Sequence, residues 1–186
     1  MSSINNIKEN YYAQSEINQR DNNEDSFLAF QFSPSVNQKP ITILAVADGM
    51  GGHQHGEHIS TEGLRRFSRA LFEALVIEKS LNSSTNPLIA TEDLVKTLES
   101  ALEQTNAYIN RMVQVNNWNK AGSTIVVAVI YDKSAVITNL GDSPLYYFQS
   151  STKELKQLTE DHSIAGILLK ANEISPEMAR VHSGRS

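Results

Sequence analysis

Apolar and polar positions along the chain separate strands from helices before any motif is considered. Ser26–Phe32 places Phe30 and Phe32 on one face and predicts a strand. The polar-rich stretch Lys8–Asn18, with Tyr11, Tyr12, Ala13 and Ile17, predicts an edge strand ahead of it, and Arg20-Asp-Asn-Asn-Glu-Asp25 reads as a charged turn. Ser33–Pro40 contains two prolines and reads as a hairpin loop. Ile41–Ala47 is almost continuously apolar, the pattern of a strand buried on both faces. Asp48-Gly-Met-Gly-Gly-His53 is expected to end that strand, its glycines allowing backbone geometry that other residues resist.

The period then changes. Ile59, Phe67, Leu71 and Leu75 recur at helical spacing and predict a helix from about Gly56 to Ser80, broken by Asn82–Pro87. Thr91 is the expected N-cap of a second helix, with Glu92 and Asp93 in its first turn. That helix is expected to reach about Val115 along the stripe Leu94, Leu98, Leu102, Ile109 and Met112, with Thr105 filling one turn. Gly122–Tyr131, Ala135–Leu140 and Pro144–Gln149 read as strands, with Gly141-Asp142-Ser143 turning between the last two. Ile164–Lys170 and Pro176–Val181 read as helices, the second started by Ser175 as N-cap and Pro176 at the first helical position. Runs of strands, then helices, then strands point to an α+β domain with antiparallel sheet.

Composition narrows the function classes. The chain has 186 residues, enough for one domain with a sizeable core. It carries 16 basic and 21 acidic side chains, a formal charge of −5, with the cations scattered, which argues against nucleic-acid binding. The absence of cysteine removes disulfides, thiolate metal sites and cysteine nucleophiles together. The first twenty residues lack a signal-peptide pattern, and Ile125–Tyr131, the longest strongly apolar run, is too short to span a bilayer. The expectation is a cytoplasmic protein with neither membrane nor nucleic-acid partner.

Candidate chemistry lies in the acids at strand ends. Glu24, Asp25 and Asp48 can converge at one sheet edge, and carboxylates with nearby backbone carbonyls are hard oxygen ligands suited to Mg²⁺ or Mn²⁺. The glycines after Asp48 would let the Gly49 carbonyl approach the same ion. Arg20, four residues before Glu24, is of a type that grips phosphate bidentately. Each feature alone is also an ordinary turn, and Leu140-Gly-Asp142-Ser143 is also an ordinary hairpin.

The series is more specific than its members. Arg20-Asp-Asn-Asn-Glu24-Asp25, Val46-Ala-Asp-Gly-Met-Gly-Gly-His53 with Gly56-Glu57 and Ser60, Gly122-Ser-Thr124, Asn139-Leu-Gly-Asp-Ser143 and Leu158-Thr-Glu-Asp-His-Ser163 occur in that order. The series resembles the metal-dependent protein phosphatases of the 2C type, the PPM family, particularly its bacterial branch, from about Tyr11 onward. The resemblance implies a four-layer α/β/β/α sandwich, two antiparallel sheets flanked by helix pairs. It also implies a binuclear Mn²⁺ or Mg²⁺ centre in which Asp48 bridges the ions, the Gly49 carbonyl is a ligand, Glu24 holds one ion through its shell and Asp25 supports from behind. Arg20 would bind the substrate phosphate, and Asp142 would match the acid of a third, weaker metal position. Substrates would be phosphoserine and phosphothreonine in proteins, products of a Ser/Thr kinase, hydrolysed by a metal-activated water in a signalling role.

Three departures accompany the resemblance. Met50 stands where many eukaryotic members have a histidine, so leaving-group protonation is left to water. Pro144 follows the Gly-Asp-Ser turn where arginine is common, removing a charge and a backbone donor. No aspartate follows Asp161, although the family places further metal-binding aspartates in a C-terminal part. Residues 1–186 are therefore expected to be the N-terminal portion of one PPM-type domain. The alternative function is a catalytically impaired module that binds phosphoprotein without hydrolysing it.

Other candidates have simpler accounts. His53, His55 and His58 lack metalloprotease spacing and a cysteine to complete a zinc site. Asp161-His162 suits a structural hydrogen bond, and neither Ser123 nor Ser163 sits in a nucleophile elbow. Glu57 and Ser60 are expected to cap and support the metal loop. A calcium-binding Asp-x-Asp-x-Asp-Gly loop does not occur.

Overall fold

A computed structural model describes residues 11–17, 22–33, 39–50, 54–78, 90–118 and 120–183. Seven strands and four α-helices follow one another among them. They are β1 (Asp25–Phe32), β2 (Ile41–Met50), α1 (Gln54–Phe72), α2 (Thr91–Asn116), β3 (Gly122–Ser123), β4 (Ile125–Tyr131), β5 (Ser134–Leu140), β6 (Tyr146–Gln149), β7 (Glu154–Gln157), α3 (Ile164–Lys170) and α4 (Pro176–Val181). A six-residue π-helical stretch, Glu73–Glu78, continues α1.

The main sheet is antiparallel with order β1-β2-β4-β5, and β3 extends it by pairing with the far end of β2. Its register sets Asp25 opposite Asp48, Phe32 opposite Ile41, and Ile41 opposite Tyr131. On one face Ile41, Ile43, Ala45 and Ala47 of β2 join Val127 and Val129 of β4, all buried. Phe67 and Leu71 of α1, Leu75 beyond it, and Leu94 and Leu98 of α2 close over them, so the helix pair and the sheet share one core. The α1 stripe and the first half of the α2 stripe, Leu94, Leu98 and Leu102, are thus buried as their spacing predicts, whereas Ile109 and Met112 are only half-buried. Thr105 sits among them because its hydroxyl donates to the Ala101 carbonyl at 2.7 Å.

β6 and β7 form a separate two-stranded sheet. Among the described residues, the α1–α2 helix pair, a five-stranded sheet, this second sheet and the short helices α3 and α4 make up the α+β architecture. No helix among them is long and apolar enough to cross a membrane.

Several local expectations are corrected. Tyr11–Ile17 forms no strand, and the rest of Lys8–Asn18 lies outside the described residues. β2 is buried on one face only, with Val46 45% exposed, because the helices cover the other. The strand also does not stop at Ala47: it runs through Asp48 to Met50, because Gly122–Ser123 pairs with Gly49 and Met50. Gly122–Tyr131 is two strands, divided at Thr124. The N-cap of α2 is Ala90, without a side-chain bond, and Thr91 is already helical. Gly141-Asp142-Ser143 is no hairpin turn, since β5 and β6 belong to different sheets.

Candidate metal centre

The register of β1 against β2 creates the central feature. Asp25 and Asp48 are cross-strand partners on the face away from the helices, since Ser26 and Ala47, the next pair, lie on the core side. Like charges directly opposite on a ladder repel, so the pair favours a cation near it. Glu16, Asn22, Asn23 and Glu24 join Asp25 and Asp48 around a cavity of about 170 Å³. A second cavity, of about 220 Å³, lies between the helices and the sheet and has no carboxylate in its wall, so it does not compete for a cation.

The Glu24 carboxylate, beside that cavity, lies against α1. A Cβ on Gly56 would lie 2.6 Å from the Glu24 carboxyl carbon, so the carboxylate rests on the first turn of α1, at the helix's positive end. Its Oε1 is buried and has no hydrogen-bond partner. Gly49 is wedged between the same elements. A Cβ there would meet the Gly56 carbonyl oxygen at 2.1 Å and the Glu24 carbonyl oxygen at 2.8 Å, a gap only glycine fits.

Hydrogen bonds lock this corner. The Gly49 amide donates to the Glu24 carbonyl at 3.1 Å. The Ser60 hydroxyl donates to the same carbonyl at 2.7 Å and lies 2.9 Å from the Ser26 hydroxyl, the supporting role expected of Ser60. The Asp25 amide donates to Asn23 Oδ1 at 3.1 Å, shaping the approach to β1. Glu57 contributes its backbone carbonyl, which accepts from Ser60 at 3.1 Å.

Asp142 is linked to the same end of the sheet. The Asp48 amide donates to Thr124 Oγ1 at 3.0 Å, and Thr124 Oγ1 lies 2.6 Å from Ser143 Oγ. Gly141, at φ 99°, packs against the Thr124 side chain, which a Cβ would meet at 2.7 Å. From the other side the Gly141 amide donates to His162 Nδ1 at 3.3 Å, and its carbonyl accepts from the His162 amide at 3.2 Å. His162 is therefore part of a structural hydrogen-bond pair. Pro144 leaves the turn intact, because the next amide, of Leu145, donates to Thr159 Oγ1 at 3.0 Å.

The structure thus brings Asp25 and Asp48 together across one ladder, and places Glu24, Gly49 and, through Thr124, the Asp142 turn beside them. Arg20 and His53 lie outside the described residues. No group of three or more His, Cys, Asp or Glu side chains among the described residues stands close enough to hold a metal ion without movement. The available donors are nonetheless all oxygens, one of them buried and unsatisfied, which suits a hard divalent cation. Sequence reasoning missed the hydrogen-bonding roles of Thr124 and Ser143, and it missed Trp118, whose ring packs on His55 and His58.

The fold agrees with what comparison with known proteins finds. The chain belongs to the Protein phosphatase 2C family, whose pattern matches residues 10–167. It is 35% identical over 164 residues to the serine/threonine phosphatase stp of Listeria welshimeri, a match covering 88% of this chain and 58% of that protein. Among solved structures it superposes on the serine/threonine phosphatase Stp1 of Staphylococcus aureus with a TM-score of 0.69 at 28% identity, covering 94% of this chain and 61% of that one. It also superposes on the catalytic domain of the phosphatase PstP in complex with two manganese ions, with a TM-score of 0.63 at 26% identity, covering 86% of this chain and 58% of that one. The chain therefore spans about three-fifths of the length of these relatives.

Proposed function

We propose that the chain supplies the cation- and phosphate-binding end of a metal-dependent phosphatase that hydrolyses phosphoserine and phosphothreonine in proteins. The observation carrying this reading is the buried, unpartnered Glu24 Oε1 set against Gly56, at the end of the ladder where Asp25 opposes Asp48. Asp48, the Gly49 carbonyl and Glu24 would hold Mn²⁺ or Mg²⁺ in a binuclear arrangement, with Asp142 at a third position and Asp25 supporting Asp48. The 186 residues contribute this part of a single PPM-type domain.

A divalent cation bound there supplies two things: it lowers the pKa of water and neutralises phosphate charge. The chain's own residues do the rest. Arg20 grips the phosphate of the substrate, which a Ser/Thr kinase has placed, through its planar fork. Thr124, bonded to the Asp48 amide, fixes the backbone from which the Asp48 carboxylate projects. Ser60 and the Gly49 amide fix the Glu24 carbonyl, holding the residue that carries the second carboxylate. Without cysteine in the chain, the reaction forms no cysteinyl phosphoenzyme.

A second reading is a module that binds phosphoprotein without hydrolysing it. One experiment separates the two. Phosphate release from a phosphothreonine peptide is followed with Mn²⁺ present, then with chelator, for the wild-type chain and Asp48→Ala. Chelator-sensitive turnover lost in the variant supports the phosphatase. Binding of the peptide without turnover, by a folded sample, supports the module and overturns catalysis by this chain.

A further inference from the structure

Where the end of α2 crosses the start of α1, three aromatic rings meet. Asn117 adopts the left-handed conformation, with φ 55° and ψ 35°, directly after the last residue of α2. Its amide donates to the Gln114 carbonyl at 3.3 Å, and the Trp118 amide donates to the Val113 carbonyl at 3.0 Å. This pair of bonds ends the helix by turning the chain back on itself, and it aims Trp118 at α1. The indole stacks on His55 at 4.7 Å between centroids, with 18° between planes, and meets His58 edge-on at 5.4 Å and 88°. His55 and His58 are three residues apart in the first turn of α1, so one ring grips both.

Gly56 lies between those histidines. It is the residue whose backbone abuts Gly49 and whose Cα side receives the Glu24 carboxylate. A second path leads from Trp118 to the same corner. Its carbonyl accepts from the Ala121 amide at 3.3 Å. Gly122 and Ser123 then pair with Met50 and Gly49, and the Ser123 hydroxyl donates to the Asp48 carbonyl at 3.0 Å.

We propose that Trp118 is a positioning residue for the cation site. By holding His55 and His58 it fixes the first turn of α1, and through Gly56 it sets the wall against which Gly49 and Glu24 rest. The proposal rests on the reading that Glu24, Gly49 and Asp48 bind a divalent cation. It also gives His55 and His58 a role other than ligation: their rings are partners of the indole. Contacts between flat rings depend on ring geometry, so an aromatic replacement should preserve the grip and an aliphatic one of similar bulk should not.

The test is calorimetric titration of the full 186-residue chain with Mn²⁺, for wild type, Trp118→Phe, Trp118→Leu, His58→Leu and Asp48→Ala, each checked for cooperative unfolding. Supporting groups behind metal ligands typically change affinity by about 10–100-fold, and a loss of this size is expected for Trp118→Leu and His58→Leu. Trp118→Phe should restore most of it. Wild-type affinity in folded Trp118→Leu overturns the proposal. Should Trp118→Leu fail to fold, wild-type affinity in His58→Leu overturns it equally. Retention of Mn²⁺ by Asp48→Ala, or no uptake by the wild type, overturns the cation site itself and the proposal with it. Loss in Asp48→Ala alone overturns only the role of Trp118.

Trp118 is the sole tryptophan of the chain, so its emission provides a second readout. Saturation with diamagnetic Mg²⁺ should shift that emission in wild type and leave it unchanged in Asp48→Ala. Unchanged wild-type emission at a Mg²⁺ concentration shown by calorimetry to saturate the site overturns the coupling.

Discussion

Asp48 and Thr124 hold each other by two backbone-anchored hydrogen bonds: the Asp48 amide donates to Thr124 Oγ1 at 3.0 Å, and the Thr124 amide donates to the Asp48 carbonyl at 2.9 Å. Thr124 is only 5% exposed, and its hydroxyl also meets Ser143. Thr124→Val keeps the shape and removes the hydroxyl, leaving the Asp48 amide without that acceptor. A buried donor stranded in this way costs about 1–3 kcal/mol. Urea unfolding should show that loss. Mn²⁺ affinity should fall as well, because Asp48 and the Asp142 turn lose their common anchor.

Gly49 and Gly56 make a discriminating pair. A Cβ on Gly49 would meet backbone atoms of Gly56 and Glu24, which cannot move without shifting α1 against β2. The atoms nearest to a Cβ on Gly56 would be those of the Glu24 carboxylate, the far end of a flexible side chain. Gly49→Ala should therefore lower the melting temperature markedly. Gly56→Ala should largely keep the fold, gain helix propensity, and lose Mn²⁺ affinity as Glu24 swings away. Equal behaviour of the two variants in melting and calorimetry would contradict this division.

The elements that the sequence made legible are those with strong local periodicity. Ile59, Phe67, Leu71 and Leu75 announced α1 and its continuation, and Leu94, Leu98 and Leu102 announced α2, because one buried helix face repeats at helical spacing. The meeting of Asp25 and Asp48 at one end of the sheet was legible, because each stands at the end of an apolar strand run. What escaped was non-local. β2 continues to Met50 only because Gly122–Ser123, over seventy residues later, pairs with it. The hydroxyl of Thr124 bonds an amide 76 residues away, and no local pattern encodes that. Glu154–Gln157 has no apolar face and is a strand only through its pairing with β6. For Trp118 a signal existed: an asparagine directly after the helical stripe is a helix-stop residue, and the residue after it turns back onto the fold.

Gly63 sits buried in the middle of α1, beside the 220 Å³ cavity, and a Cβ there would meet nothing within 4 Å. Gly63→Ala therefore adds a methyl group where there is room and removes the least favourable non-proline residue from a helix interior. The expected gain is about 1 kcal/mol from propensity alone. A rise in melting temperature with unchanged Mn²⁺ affinity checks it; a fall would mean the cavity is narrower in solution.

Glu160 and Lys170 join the Asp161-His162 segment to α3 through an exposed ion pair. The hydrogen bond from Lys170, and then its charge, hold the Glu160 carboxyl below its ordinary value. A depressed carboxylate pKa means that the pair stabilises the fold above the unfolded-state pKa, and that this contribution is lost as pH falls through the folded one. Glu160→Gln should therefore lose a small, salt-sensitive increment near neutrality and behave as wild type in strong acid. Melting curves across acid pH, at low and high salt, check the sign.

Asp25 and Asp48 oppose each other on the ladder, so the site is built at a cost that a cation would offset. Like charges in that arrangement destabilise by an amount on the order of 0.2–1 kcal/mol. Asp25→Asn removes one charge and keeps the shape. With chelator present the variant should be more stable than wild type by that amount, because the repulsion is gone. With Mn²⁺ the order should reverse, since wild type gains more from binding and the gain grows with free metal concentration. Two melting series, one in chelator and one across Mn²⁺ concentrations, therefore suffice. Curves that cross identify the Asp25–Asp48 ladder as part of a cation site, whereas a variant less stable than wild type in chelator would mean that Asp25 serves the fold and not the metal.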